Sequence, residues 1–240
     1  MIALTKPDKS ILKKVYDRLL VNSSRVHLLN YNQEFASTIE EGSTVLDAGA
    51  GSSPYKSLFA HTKYESADKF NDSCTYCCDI NSIPVEDDRF NYILLNQVLE
   101  HLPEPKIALN ELNRVLKPGG KIIITVPFFY QEHEKPYDFF RYTQFGLRHL
   151  LEESGYEIKR LEWLEGYFGT VAYQLKMAQQ YLPLSVDSNK NIGQLIYFPL
   201  LLICRVAFFL LSAVFYRLDT KFKFTNMGYP KNYVVIAEKK

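Results

Sequence analysis

An excess of charge of either sign is what this sequence most plainly lacks. Lysine and arginine total 28 against 27 aspartate and glutamate, a formal net charge of +1. No global field therefore recruits a polyanion, and nucleic acid is not an expected partner. Cysteine is equally sparse: Cys74, Cys77, Cys78 and Cys204 make no evenly spaced framework, which excludes a small fold stapled by disulfides. Cys74, Cys77 and Cys78 do spell Cys-x-x-Cys-Cys. Only three thiols lie close together, and the two on a predicted strand point to opposite faces, so no metal is expected there. Near the N-terminus, Lys6, Asp8 and Lys9 stand where a signal peptide needs an apolar core, and the expectation is a cytoplasmic protein with reduced thiols. Internal repeats and low-complexity tracts are missing as well. What is present is apolar material, 47% of 240 residues, enough to bury a core in one large domain, or one domain with an appendage.

The pattern alternates strands with helices. Residues 8–40 carry Ile11, Leu12, Val15, Leu19 and Leu20, then Val26, Leu29, Phe35 and Ile39, at helical spacing, which predicts one or two helices. Thr44–Ala48 is a short strand, Lys56–His61 a helix, and Lys63–Ala67 and Thr75–Cys78 strands ending at Asp68 and Asp79; Phe90–Leu95 is a fourth strand. Pro103–Leu116 is a helix stopped by Lys117-Pro118-Gly119-Gly120, and Lys121–Val126 is a strand apolar enough to be buried on both faces. Beyond a long aromatic loop, Phe128–Tyr142, come a helix over Gln144–Ser154 capped by Gly155, a strand over Tyr156–Glu162, a helix around Val171–Tyr181 and a last strand over Asn232–Glu238. Such alternation implies a parallel sheet, whose ligands bind beyond the carboxyl ends of the strands.

At the end of the first strand stands Asp47-Ala48-Gly49-Ala50-Gly51-Ser52-Ser53-Pro54. A strand running into Gly-x-Gly lets backbone approach a ligand, and the N–H groups of a following helix favour a negative group. Ser53 reads as the N-cap of that helix and Pro54 as its first residue. Pro54 also occupies the place of the third glycine of a dinucleotide fingerprint, which argues against NAD or FAD. Asp68 at the next strand end suits a carboxylate accepting ribose hydroxyls, or a plain turn residue. Asp79, followed by the apolar Ile80, suits an adenine amino group with Ile80 against the ring, or simple capping.

The order glycine turn, acid, acid, Val98-Leu99-Glu100-His101-Leu102, Leu116-Lys117-Pro118-Gly119-Gly120, apolar strand resembles the class I S-adenosylmethionine-dependent methyltransferases of the small-molecule type, over about Gly42–Leu161 and the final strand. The resemblance implies a Rossmann-like α/β fold, a seven-stranded, mostly parallel sheet with helices on both faces, whose last strand is antiparallel and lies beside the one before it. It implies S-adenosylmethionine as cofactor, with Asp47, Gly49, Ala50 and Gly51 at its methionine part, Asp68 on the ribose, Asp79 and Ile80 at the adenine, and Asn96 and Gln97 lining the methionine end. A non-catalytic protein that keeps the fold to bind a nucleoside or a partner is the alternative.

Methyl transfer from a sulfonium needs the acceptor held on axis, and a base only where the acceptor loses a proton. Candidates stand after the strands that carry Asn96 and Val126: His101, with Glu100 beside it, and His133. His133 is the expected base for transfer to an oxygen, while Glu100 and His101 serve either the site or the turn itself. In the loop that follows, Tyr137 and Tyr142 can stack on a ring and Arg141 can grip an anion, or Asp138 and Arg141 pair with each other to fix the loop. This stretch resembles one in bacterial methyltransferases of cell-surface carbohydrate or lipid-linked metabolism, so the acceptor is expected to be a small or lipid-linked molecule.

Leu195–Tyr216 carries Arg205 as its only charge and is long enough for a bilayer, which takes ~20 residues. A single crossing conflicts with a final strand that must rejoin the sheet, and Pro199 and Arg205 fit poorly in a lone span. The remaining readings are membrane-surface contact, a lid over the acceptor, or a homodimer-forming helix. The division expected is a helical cap over 1–41, a methyltransferase core over 42–165, a helical apolar insertion over 166–231 and the last core strand over 232–240.

Overall fold

The computed structural model describes residues 22–183 and 192–240, so the apolar positions of 8–21 lie outside the described residues. In chain order the elements are α1 (Ser23–Ser37), β1 (Thr44–Ala48), β2 (Lys63–Asp68), β3 (Tyr76–Cys77), β4 (Phe90–Asn96), α2 (Pro105–Val115), β5 (Leu116–Pro127), α3 (Gln144–Glu153), β6 (Tyr156–Trp163), α4 (Tyr167–Tyr181), α5 (Ile192–Lys221) and β7 (Asn232–Lys239). The strands form one seven-stranded sheet in the order β3-β2-β1-β4-β5-β7-β6. β1 to β5 are parallel, and β7 runs antiparallel between β5 and β6. The expected architecture is therefore present, including the apolar helix ahead of the last strand.

The chain divides into two compact units. One comprises the sheet and its helices, His27–Leu164 with Pro230–Lys240; the other takes in Glu165–Tyr229 and the described residues before His27. In the first, the sheet is buried on both faces. Leu46, Ile93, Leu95, Ile122 and Ile124 join Leu109, Leu112, Leu147 and Leu151 on one side, while Val45, Leu94, Ile123 and Val234 meet Tyr31, Phe35, Ala36 and Ile39 on the other. Burial at Tyr31, Asn32, Phe35, Ala36 and Ile39 follows the helical period. Leu29, expected on that face, is instead exposed.

Several local expectations are corrected. The segment after the glycine turn is a single 3-10 turn, Lys56–Phe59, rather than a helix to His61. Ser53 does not cap it: it lies in the left-handed region at φ 51°, and the residue at the cap position is Tyr55, which makes no side-chain capping bond. Two closely spaced turns before the next strand leave too few residues to nucleate an α-helix. The third strand shrinks to Tyr76–Cys77 at the sheet edge, where it has a neighbour on one side only. Lys117–Gly120 does not separate a helix from a strand. It bulges within β5, where Leu116 already pairs with Phe90 and the register resumes at Lys121 with Tyr92. Gly155 does terminate α3, at φ 83°, and Thr143 Oγ1 accepts the Gly146 N–H at its start.

In the second unit α5 packs on α4 through Ala172, Ala213, Tyr216, Phe209 and Phe215. Ser212 Oγ donates to the Ala172 carbonyl at 3.0 Å. Among the described residues, Tyr197–Lys221 is the helical stretch long and apolar enough to cross a membrane, with a mean hydropathy of 2.3. Tyr197, Leu200, Ile203, Val206, Leu210 and Val214 are each at least half exposed.

Candidate active site at the carboxyl edge of the sheet

The glycine turn is shaped by contacts that only glycine permits. Gly49 has φ 72° and Gly51 φ 51°. A Cβ at Gly49 would come within 2.5 Å of Val98, whereas nothing lies within 4 Å of one at Gly51. At Gly49 both the backbone and the close approach require glycine, and at Gly51 the backbone alone does. The open space beside Gly51 is a cradle on the ligand side of the turn. The turn is pinned from below, because the Gly49 and Ala50 N–H groups donate to the Ala67 carbonyl.

Asp68, at the end of β2, clasps this turn. Its Oδ2 accepts the Gly51 N–H at 2.9 Å and its Oδ1 the Phe70 N–H at 2.8 Å. A carboxylate offers about four acceptor positions, so two remain for a pair of ribose hydroxyls. Asn71 donates from Nδ2 to the Gly51 carbonyl and closes the loop.

Asp47 is buried beneath the turn, where it accepts the Tyr64 hydroxyl proton. Burial pushes its carboxyl up to about 6 against the opposing effect of that bond, and the neighbouring Asp68 adds to the rise. Asp79 accepts from Lys69 Nζ at 2.9 Å and from the Asn81 N–H at 3.0 Å, and these bonds, the backbone one first, hold its carboxyl below the usual range. Ile80 beside it is buried in the core. Any further donor that reaches Asp79 shares the carboxylate with Lys69.

After β4, Asn96 turns its side chain into the fold: Nδ2 donates to Asn32 Oδ1 at 2.9 Å and Oδ1 accepts from Thr125 Oγ1 at 3.1 Å. Gln97 sits at φ 56°, donates its N–H to the Thr125 carbonyl and leaves a buried Nε2 with no partner among the described residues. Gln97 thus offers a buried amide donor one residue before Val98, the side chain against which Gly49 packs.

Glu100, His101 and His133 come together beyond Val98. Glu100 is fully buried, and neither of its carboxylate oxygens meets a donor from another of the described residues. Desolvation pushes its carboxyl up to about 8. His101 donates from Nδ1 to the Tyr137 carbonyl at 2.6 Å, since a carbonyl can only accept, and its Nε2 lies 3.8 Å from Glu100 Oε1. The His101 and His133 rings meet edge to face at 4.7 Å.

The loop that brings His133 here is braced internally. Asp138 Oδ2 accepts the His133 N–H at 2.8 Å and lies 3.2 Å from its Nδ1. Arg141 pairs with Asp138 through two bonds of 2.7 Å and donates to the carbonyls of Tyr130, Gln131 and Phe140. All five guanidinium donors are thereby engaged within the loop. Tyr142 is buried and donates to the Leu99 carbonyl, and the Glu100 carbonyl accepts the Phe139 and Phe140 N–H groups. Tyr137 remains half exposed, its ring 6.2 Å from that of Phe70.

The structure therefore gathers the glycine turn, Asp68, Gln97 and the two histidines on one sheet edge, and it turns Asn96, Asp138, Arg141 and Tyr142 toward the fold that supports them. Sequence reasoning missed Tyr64, Asn32, Thr125 and Phe70. Only Phe70, two residues after Asp68, carries a positional signal. Glu100 was visible as a residue of either the site or the turn, but its isolation was not, because that depends on which neighbours pack around it.

The class follows from fold and matched family together: a family described as "Methyltransferase domain" matches residues 46–124, and the chain carries a class I S-adenosylmethionine-dependent methyltransferase domain. It is 37% identical over 67 residues to a demethylmenaquinone methyltransferase of Staphylococcus haemolyticus, which covers 25% of this chain and 28% of that protein. Its identity to the Staphylococcus aureus (strain JH9) protein of the same name is 39% over 59 residues, or 22% of this chain and 24% of that one. The chain thus spans about a quarter of the length of these curated relatives.

Among solved structures, phosphoethanolamine N-methyltransferase 2 of Haemonchus contortus, in complex with S-adenosyl-L-methionine, aligns with a TM-score of 0.51 at 16% identity, covering 88% of this chain and 52% of that one. The [4+2]-cyclase SpnF aligns with a TM-score of 0.51 at 18% identity, covering 86% and 79%. These likenesses establish the fold. The same architecture thus occurs in a protein named for cyclisation, so the acceptor chemistry must be argued from the site.

Proposed function

We propose that this chain transfers a methyl group from S-adenosylmethionine to a small or lipid-linked acceptor, at oxygen. The observation that carries the reading is the glycine turn itself: Gly49 held against Val98, open space at Gly51, and Asp68 clasping the turn with acceptor positions to spare. S-adenosylmethionine, when bound, supplies a methyl group already activated on a sulfonium. Asp68 holds the ribose, Asp79 and Ile80 flank the adenine, and Asp47, Ala50 and Gln97 border the methionine end. The acceptor belongs over the turn, bounded by Phe70, Tyr137, His101 and His133. A hydroxyl acceptor loses its proton as the new carbon–oxygen bond forms and the carbon–sulfur bond breaks, and His133 and His101 are the groups placed to assist. In this reading Asp138, Arg141 and Tyr142 position the loop rather than grip substrate.

A small-molecule acceptor accords with the demethylmenaquinone methyltransferases that the chain resembles over part of its length. The exposed apolar face of α5 supports contact with a membrane surface, where a lipid-linked acceptor would be met. Two measurements test the reading. Calorimetry with S-adenosylmethionine should show one site, and a methyl-transfer screen over glycan, quinone and lipid-extract acceptors should yield a methylated oxygen. Absence of cofactor binding would leave the fold as a scaffold for another ligand or partner.

A further inference from the structure

We propose that Glu100, His101 and His133 form a binding site for a divalent first-row transition-metal ion, open on the side where the acceptor lies. One ligand atom from each of the three residues falls within 4.8 Å of the others. The strongest sign that the cluster is built for a cation is Glu100. Its side chain is fully buried, yet neither oxygen has a donor from any other of the described residues, while His101 Nε2 stands 3.8 Å away. Leaving a carboxyl buried and unpartnered destabilises a fold unless something pairs with it.

His101 is oriented as a metal-binding imidazole is. A ligating histidine characteristically donates its other ring N–H to a carbonyl or carboxylate, which fixes the tautomer and the ring plane. His101 does so to the Tyr137 carbonyl. His133 Nδ1 lies 3.2 Å from Asp138 Oδ2 but has no hydrogen-bond partner among the described residues. His101 is left with Nε2 as its lone-pair nitrogen, and His133 offers one ring nitrogen to the cluster. Two imidazoles and one carboxylate suit a first-row transition ion better than magnesium or calcium, which prefer all-oxygen shells. Three protein ligands also leave coordination positions open, the mark of a catalytic rather than a structural site.

The consequence deepens the proposed methyl transfer and rests on it. An acceptor hydroxyl at the open position would be a stronger acid and would release its proton to solvent water on the open side of the site. Its oxygen would then form the new carbon–oxygen bond as the carbon–sulfur bond breaks, with no oxidant or reductant required. His133 would thereby act as a ligand rather than as the base itself.

The test uses the full, untagged chain stripped with a chelator and titrated with Co(II), followed by displacement with Zn(II), while S-adenosylmethionine binding is measured in parallel by calorimetry. Expected are one equivalent of Co(II), a visible spectrum distinct from the aquo ion, and competition by Zn(II) but not Mg(II). Glu100→Gln and His133→Ala should each weaken the metal by about 100-fold or more, beyond the range for an outer partner. His149→Ala, an exposed histidine elsewhere, should change nothing. Circular dichroism checks that each variant folds, and Glu100→Gln, which keeps the size and shape of the buried side chain, keeps the test available if His133→Ala does not. Cofactor binding without Co(II) binding, or Co(II) binding that survives both substitutions, overturns the metal site. Metal binding without cofactor binding leaves it standing and removes the methyl-transfer reading instead.

Discussion

Replacing Asp47 with asparagine should make the protein more stable at neutral pH and worse at holding its cofactor. Asp47 is 4% exposed, and its carboxyl is raised from 3.8 to about 6, by burial first and by Asp68 in addition. Two units correspond to about 3 kcal/mol between the protonation states. Because the folded-state value lies above the unfolded one, the folded protein binds more protons between about pH 4 and pH 6. The stabilising contribution of this group is therefore complete below pH 4 and is lost as pH rises through 6. At pH 7 the fold carries the whole penalty. Asparagine keeps an oxygen for the Tyr64 hydroxyl but adds an NH2 group that needs a partner, at a cost of about 1 kcal/mol. The net expectation is that Asp47→Asn is stabilised by about 2 kcal/mol at pH 7 and by nothing, or slightly destabilised, at pH 4. Urea unfolding of the cofactor-free protein at the two pH values measures both. Calorimetry should show S-adenosylmethionine binding weakened by at least tenfold, about 1.4 kcal/mol, if the carboxylate serves the cationic end of the cofactor. An Asp47→Asn variant whose stability relative to the parent is the same at pH 4 and pH 7 would refute the reasoning.

Three further outcomes follow from the geometry. Gly49→Ala combines a left-handed backbone with a Cβ driven into Val98 and should cost about 3 kcal/mol in urea unfolding; adding Val98→Ala relieves only the steric part, so full recovery would contradict the backbone argument. Arg141→Lys keeps the charge and loses the fork that joins Asp138 to three carbonyls, so limited proteolysis should open the loop over 128–142, with a local loss of about 2 kcal/mol; cleavage rates equal to the parent's would speak against that brace. Ile203→Glu with Leu210→Glu, both exposed on α5, should cut co-sedimentation with phosphatidylcholine vesicles by about tenfold per site, from about 1.5 kcal/mol of lost burial each; equal sedimentation of parent and double variant would remove the membrane reading.

How much of this was legible in the sequence depended on whether the determinant was local. The strands β1, β4 and β5 announce themselves as apolar runs because both faces are buried, and the place of β7 follows once the class is recognised. Misreadings cluster where context overrides propensity. Ser53-Pro54 has the composition of a helix start, but the backbone at Ser53 turns left-handed and only one 3-10 turn follows. Lys117-Pro118-Gly119-Gly120 has the composition of a turn, yet the sheet absorbs it as a bulge beside Asn91. Leu29 is as apolar as Phe35, but the helix phase set by Tyr31 and Asn32 sends it outward.

The site divides along the same line, for a physical reason. Cofactor residues read well because each stands at a strand end, where backbone geometry makes the position: glycine at positive φ, carboxylate at the edge. The acceptor side is built from relations between distant segments that no local pattern records. Nothing in the sequence near Glu100 says that both of its oxygens will be left without donors, nor that His133 will be folded back to 4.7 Å from His101. Asp138 and Arg141 illustrate the point: a pair able to bind an anion turns out to have every guanidinium donor committed to its own loop. That commitment is itself informative, since so much bonding spent on one loop has one evident result, the placing of His133 beside the buried carboxyl of Glu100. The precision of the brace argues that what matters there is the position of an imidazole nitrogen.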